Sequence, residues 1–311
     1  MNSLKKLLAA GILAALLTPF YGCGSSNKEG TAETEGTDTA GMGQSGGMKK
    51  SDNKAQNIFY SIPSPIELAQ LIQKAGASYN KDLLSSIDNV NKYNSNSSKA
   101  LNLGVYGADL SYTSVFDNNT QESILYLGCT RKLAESLGVG NAFDEKTVDR
   151  IQANTGKKDS LLSIISSSYM STDEMLKESQ RENASALVIS GGFMEGIYLA
   201  TQLAKSSKNS ADIINRIAEQ KGTLDNVINL LTPSAQDAGV ASILADLKTL
   251  QTIFADVKVS ATTGATVKTD QATKVTTIGG KIVYTVTPET MSKLTAKAAE
   301  IRNKIISGQN Q

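Results

Sequence analysis

Two short constellations carry convergent polar chemistry. Tyr106, Asp109 and Tyr112 follow one another at intervals of three, and so do Glu195 and Tyr198. Residues three apart on a helix share a face, so each acid has a phenol one turn away. Both acids sit inside apolar runs, ALNLGVYGADLSYTSVF at 100–116 and ALVISGGFMEGIYLATQLA at 186–204. The runs echo each other: in both, Ala-Leu is followed by an acid nine residues after the Ala and by Tyr three residues later. Either the echo marks a duplicated helical pair or it is what any two buried helices look like. Two such faces meeting in a bundle would form an acidic, tyrosine-lined pocket suited to a cationic or hydroxylated small ligand. The same residues also fit a plainer arrangement. Buried polar groups are ordinarily satisfied inside the fold, here by the tyrosines or by Arg131, Arg150 or Arg181.

The rest of the inventory removes most other chemistry. The chain has no histidine, which excludes the usual general base, Ser-His-Asp and Cys-His nucleophiles and nearly all transition-metal sites. Its two cysteines are Cys23 and Cys129, too few for a zinc or iron–sulfur site. There is no phosphate-binding loop and no glycine-rich dinucleotide turn. Lys and Arg number 31 against 30 Asp and Glu, and loss of Lys5 and Lys6 with a signal segment would leave 29 basic residues. That balance gives no electrostatic case for nucleic acid. Glu135-Ser136 is similar to the Glu-Ser of lytic transglycosylases, but no Gly-Leu-Met-Gln follows it. No catalytic residue, cofactor or metal is expected, and the chain reads as a non-enzyme.

The elements that would position the two acids are helices. The run 186–204 is apolar nearly all round, so a helix there must be buried on nearly all sides. It is long enough to cross a membrane, and Gly192 and Gly196 form a small-xxx-small pair. Glu195 near its middle argues against that, at about 2.5–3.5 kcal/mol on insertion scales. Gly191 and Gly192 each weaken a helix by roughly 1 kcal/mol relative to Ala, which tight packing must offset. A central helix approached closely by a neighbour is the expected reading. Glu195 has Gly191, Gly192, Tyr198 and Leu199 at helical spacing, so a buried Glu195 needs a partner from another helix or a proton.

Around the runs the pattern predicts amphipathic helices. Ser64-Pro65-Ile66-Glu67 is an N-terminal cap for a helix to about residue 75. Further helices are predicted at 81–92, 118–138, 144–154, 159–182 (one helix or two), 211–221, 224–231, 234–257 and 287–307. Cys129, in an apolar helical stretch, reads as a small buried hydrophobe. Residues 259–286 are rich in Thr and Val. There Lys274 to Ile278, Gly279-Gly280 and Lys281 to Val286 read as a β-hairpin with a two-residue turn. The expected fold class is all-α, a multi-helix bundle with a small C-terminal β-hairpin insertion, in one domain at 58–311.

The N-terminal part points to export. Lys5 and Lys6 precede an apolar stretch, Leu7 to Leu17, and Gly22 stands directly before Cys23. This reads as a lipoprotein signal peptide at 1–22, cleaved before a lipidated Cys23. Phe20 and Tyr21 are bulkier than the usual residues at those positions. Residues 23–57 are rich in Gly, Ser, Thr, Glu and Lys and have almost nothing to bury, so they are expected to form a disordered tether. A flexible chain of that length spans about 30 Å.

The segments YSIPSPIELAQLIQKAGASYN, ALNLGVYGADLSY and ALVISGGFMEGIYLA resemble an uncharacterised family of Bacteroidetes-type envelope lipoproteins with no established activity. The resemblance covers about residues 60–203 together with the lipobox region and leaves out the hairpin. It implies an exported, helical, membrane-tethered protein and supplies no catalytic residues. The expected function is a lipid-anchored, non-catalytic interaction or scaffold module of the bacterial cell envelope, with an unknown protein or small-molecule partner. Its expected location is the outer membrane, on the periplasmic face or at the cell surface. The alternative is a lipoprotein that binds a small ligand through Tyr106, Asp109, Tyr112, Glu195 and Tyr198.

Overall fold

The computed structural model describes residues 65–116, 120–154, 156–207, 210–261, 266–270, 275–279 and 282–308. The expected signal peptide, Cys23, the tether and the Ser64 cap lie outside the described residues.

Two helices occupy the centre, α2 (Asn96–Val115) and α6 (Glu182–Leu203). Neither has an exposed polar face: Ala100 through Val115 are all buried, as is nearly all of α6. The helix α6 is long and apolar enough to cross a membrane, yet 89% of that window is buried inside the bundle. Three buried serines of these helices donate to carbonyls of their own helix. Ser111 donates to Gly107 O at 2.8 Å, Ser114 to Leu110 O at 2.6 Å and Ser190 to Ala186 O at 2.7 Å.

The two helices make the most extensive contact in the fold. Gly104 lies against Val188 and Gly192, and both helices start at the same place, Ser97 against Gly239 and Asn183 Nδ2 donating to Asp237 Oδ2 at 3.2 Å, so they run parallel. Glycine brings their backbones together. A Cβ at Gly191 would stand 1.9 Å from Leu101 O, and one at Gly104 would stand 2.0 Å from Val188 O and 2.5 Å from Gly192 N. Only glycine permits that approach on either side. The expected close approach is therefore present, with Gly104 and Gly191 as its reciprocal contacts.

Among the described residues, six helices surround this pair: α1 (Pro65–Lys74), α3 (Thr120–Ser136), α5 (Lys158–Glu178), α7 (Ser210–Leu231), α8 (Ala238–Phe254) and α9 (Pro288–Ser307). A short helix, α4 (Glu145–Ala153), packs on α5. Several ends are fixed by the side chains the sequence marks out. Asp144 caps α4 through Thr147 N at 2.8 Å, and Thr287 caps α9 through Thr290 N at 3.1 Å. The α9 helix ends at Gly308 in the left-handed region, φ 75°.

Three expectations are corrected. The helix expected at 81–92 is two short 3-10 turns, Lys81–Leu83 and Ile87–Asn91, because its carbonyls and amides are taken by side chains of α2, α3 and α9. The helices expected at 211–221 and 224–231 are one, α7, which runs through Gly222. Its buried stripe of Ile213, Ile217, Leu224, Val227 and Leu231 continues across the glycine, so packing outweighs the roughly 1 kcal/mol propensity cost.

The third concerns pairing in the β segment. Strand β1 (Lys258–Ala261) pairs antiparallel with β4 (Ile282–Thr285), and β2 (Thr266–Asp270) pairs with β3 (Val275–Gly279). Gly279 lies opposite Thr266 and Asp270 opposite Val275, so the chain reverses between Asp270 and Val275 and not at Gly279-Gly280. The nested pairing gives all four strands a backbone partner. The insertion itself is present as expected, and it rests on α7 through β4.

Candidate functional site

Parallel packing of α2 and α6 brings the two echoing runs side by side, and with them the two acids. Asp109 and Glu195 are both 0% exposed. The α9 helix delivers the counter-charge. Arg302 Nε donates to Glu195 Oε2 at 3.0 Å and Arg302 Nη2 to Oε1 at 3.2 Å, a forked ion pair that uses both carboxylate oxygens. The guanidinium carbon stands 4.6 Å from the centroid of the Tyr198 ring, a cation–π contact. Burial opposes the guanidinium charge, but Glu195 beside it outweighs that and holds Arg302 above its ordinary range.

The segment between α1 and α2 closes the network. Arg302 Nη2 also reaches Leu83 O and Ser85 Oγ, both at 3.0 Å. Ser85 N donates to Asp109 Oδ2 at 3.1 Å, and Ser85 O accepts from Tyr126 Oη of α3 at 2.8 Å. Ser85 thus ties Asp109, the arginine and α3 together through one residue, and reaches Glu195 by way of the arginine. Asp109 Oδ1 is buried and receives no donor. Burial, and then the neighbouring Glu195 carboxyl, push the Asp109 carboxyl well above the usual carboxylate range; Arg302 and the Ser85 amide pull the other way but less strongly.

Of the five residues singled out as ligand-binding, Asp109, Glu195 and Tyr198 come together around Arg302. The other two face the backbone. Tyr106 Oη donates to Ser86 O at 2.6 Å, and Tyr112 Oη accepts from Asn80 N at 2.9 Å. Tyr112 also stacks on Tyr79, with ring centroids 5.4 Å apart. Burial raises Tyr112 to about 12 and Tyr93 to about 12. Tyrosines therefore line the region, but the hydroxyls of Tyr106 and Tyr112 hold the 80–93 segment down and are not aimed at the carboxyls.

The partner of Glu195 comes from another helix, as its helical neighbours require, but it is none of the three arginines considered. Arg131 pairs with Glu135 on the surface at 2.8 Å, Arg181 donates to Leu137 O at 2.6 Å, and Arg150 is exposed. Arg302 had one legible signal. In α9 the buried stripe is Leu294, Ala298, Ile301 and Ile305, and Arg302 falls on its border, where the other basic residues of that helix are exposed or half-buried lysines. Ser85 carried no signal. Glu135, the acid of the Glu-Ser pair, is exposed and tied to Arg131. Cys129 is buried and free, and burial raises its thiol to about 11. Among the described residues no group of three or more His, Cys, Asp or Glu could hold a metal ion.

Comparison with family models, with curated proteins and with solved structures finds no match.

Proposed function

We propose that the chain is a lipid-anchored protein of the bacterial cell envelope that serves as a non-catalytic interaction or scaffold module. One observation carries the choice over a ligand-binding lipoprotein: both carboxyls are fully buried, and Arg302 already bonds both oxygens of Glu195. A cationic ligand entering there would have to displace a guanidinium that makes four hydrogen bonds. What the fold turns outward instead includes Ile124 and Leu125 on α3 and Val259, Ile282 and Val283 on the β insertion. The anchor rests on Gly22-Cys23 following the Leu7 to Leu17 stretch, in keeping with the resemblance to envelope lipoproteins.

The test is a pair of measurements on the chain expressed in a bacterium. Mass spectrometry of the N-terminal peptide should find a diacylglyceryl group on Cys23, and Cys23→Ala should move the protein from the membrane to the soluble fraction. An unmodified Cys23 with unchanged membrane partition rejects the anchor. A thermal-shift screen against amines, sugars and peptides should give no specific shift. A ligand whose effect on the melting temperature follows mass action would replace the scaffold by a binding protein.

A further inference from the structure

The buried centre does not balance its charges. Two carboxyls, Asp109 on α2 and Glu195 on α6, meet one guanidinium, Arg302 on α9, and both acids are fully shielded from water. The arginine gives its hydrogen bonds to Glu195, Leu83 O and Ser85 Oγ. Other groups around Asp109 are Tyr106 and Tyr112 on its own helix, Tyr198 on α6, Tyr126 and Cys129 on α3, Tyr169 on α5 and Tyr93 before α2. Each of these is a phenol or thiol that burial makes harder to ionise, so all are neutral near pH 7. No lysine is among them, and the chain contains no histidine.

With both acids ionised, one uncompensated negative charge remains in the core, a costly state. Asp109 would also keep one oxygen with no donor, since Oδ2 takes the Ser85 amide and Oδ1 takes nothing. The two carboxyls converge on one pair of residues: the Ser85 amide donates to Asp109 Oδ2 at 3.1 Å, and the Arg302 Nη2 that bonds Ser85 Oγ at 3.0 Å also bonds Glu195 Oε1 at 3.2 Å, but two carboxylates have no proton to share. One added proton removes the excess charge and makes a hydrogen bond between the two acids. Aspartic-protease dyads solve the same problem in the same way.

We propose that Asp109 and Glu195 hold one proton between them in the folded protein, and that this proton is the latch that keeps α2 closed on α6. The latch makes the fold sensitive to alkali. In the unfolded chain Asp109 ionises at about 3.9; in the folded chain it does so at higher pH. Its contribution is therefore complete below about pH 4 and is lost progressively as pH rises towards the folded value. Within that window the folding equilibrium constant falls about tenfold per pH unit on account of this one proton.

The experiment is urea unfolding of the full chain across pH 4.5 to 8.5 (roughly spanning the window above the free carboxyl value), for wild type and Asp109→Asn. The amide is neutral at every pH and keeps the shape. Its folding constant should gain on wild type about tenfold per pH unit as pH rises through the window, and Asp109→Asn should be at least as stable as wild type at neutral pH. A pH-independent loss in Asp109→Asn overturns the proposal, because it means that an ionised Asp109 stabilises the fold. If the variant does not fold, infrared spectra of the wild type decide. A neutral-carboxyl C=O band at pH 7 supports the latch, and its absence overturns it.

Discussion

Gly191→Ala puts the backbone contact at the centre to a direct test. The added Cβ would lie 1.9 Å from Leu101 O, 2.8 Å from Leu101 C and 3.1 Å from Leu101 Cα. These are main-chain atoms of a helix and have no rotamer to escape into. Reaching an ordinary contact of 3.4 Å requires the helices to part by about 1.5 Å, against interaxial distances of about 8–10 Å for packed helices. That movement also draws α6, which carries Glu195 one turn along, away from Asp109 on α2. Alanine returns roughly 1 kcal/mol of helix propensity, while overpacking a rigid site costs about 1–3 kcal/mol and more where backbone must shift. With the overpacking cost at the upper end, about 3 kcal/mol, the expected net loss is about 2 kcal/mol, read as a fall of about 1 M in the urea midpoint. Gly222→Ala in α7 is the control, because a Cβ there meets nothing within 4 Å. It should gain up to about 1 kcal/mol from propensity alone. If Gly191→Ala also gains stability, α2 and α6 do not touch backbone to backbone and the account of the centre is wrong.

Arg302→Met should cost about 3–5 kcal/mol by stranding Glu195, and the double variant Glu195→Leu with Arg302→Met should recover most of that loss, since a buried ion pair is replaceable by packed apolar side chains. Additive losses in this cycle would show that the pair is not energetically coupled. A chain stopped before Pro288 lacks the counter-charge altogether; its α2 and α6 amides should exchange rapidly with deuterium, and strong protection of both would refute the idea that α9 locks the pair.

The central helices are legible in the sequence because they break the usual amphipathic pattern: a run with no polar face has nowhere to go but the middle. Capping is equally local, and Asp144 and Thr287 stand where their side-chain chemistry puts them. Legibility fails where the deciding partner is remote in sequence. Arg302 is 107 residues from Glu195, and rules about neighbours one helical turn apart do not reach that far. Nothing near residue 85 distinguishes a serine that will bridge buried charges from one in a surface turn. The β segment shows the same limit. Gly279-Gly280 is a sound local turn signal, yet β3 and β4 on either side of it pair with β2 and β1 and not with each other. At Gly222 the local helix-breaking preference loses to a continuous buried stripe.

The position of Arg302 sets an order of events as the chain emerges from a ribosome. Asp109 appears first, Glu195 next, and the cation that reconciles them only 107 residues after Glu195. Until then, closing α2 on α6 means burying two acids with no counter-charge, a penalty of several kcal/mol. The neighbouring pairs α2 with α3 and α6 with α7 pack without bringing the two acids together. Burial of the two acids is thereby expected to wait until α9 is free to join, which makes delivery of a single guanidinium a late step.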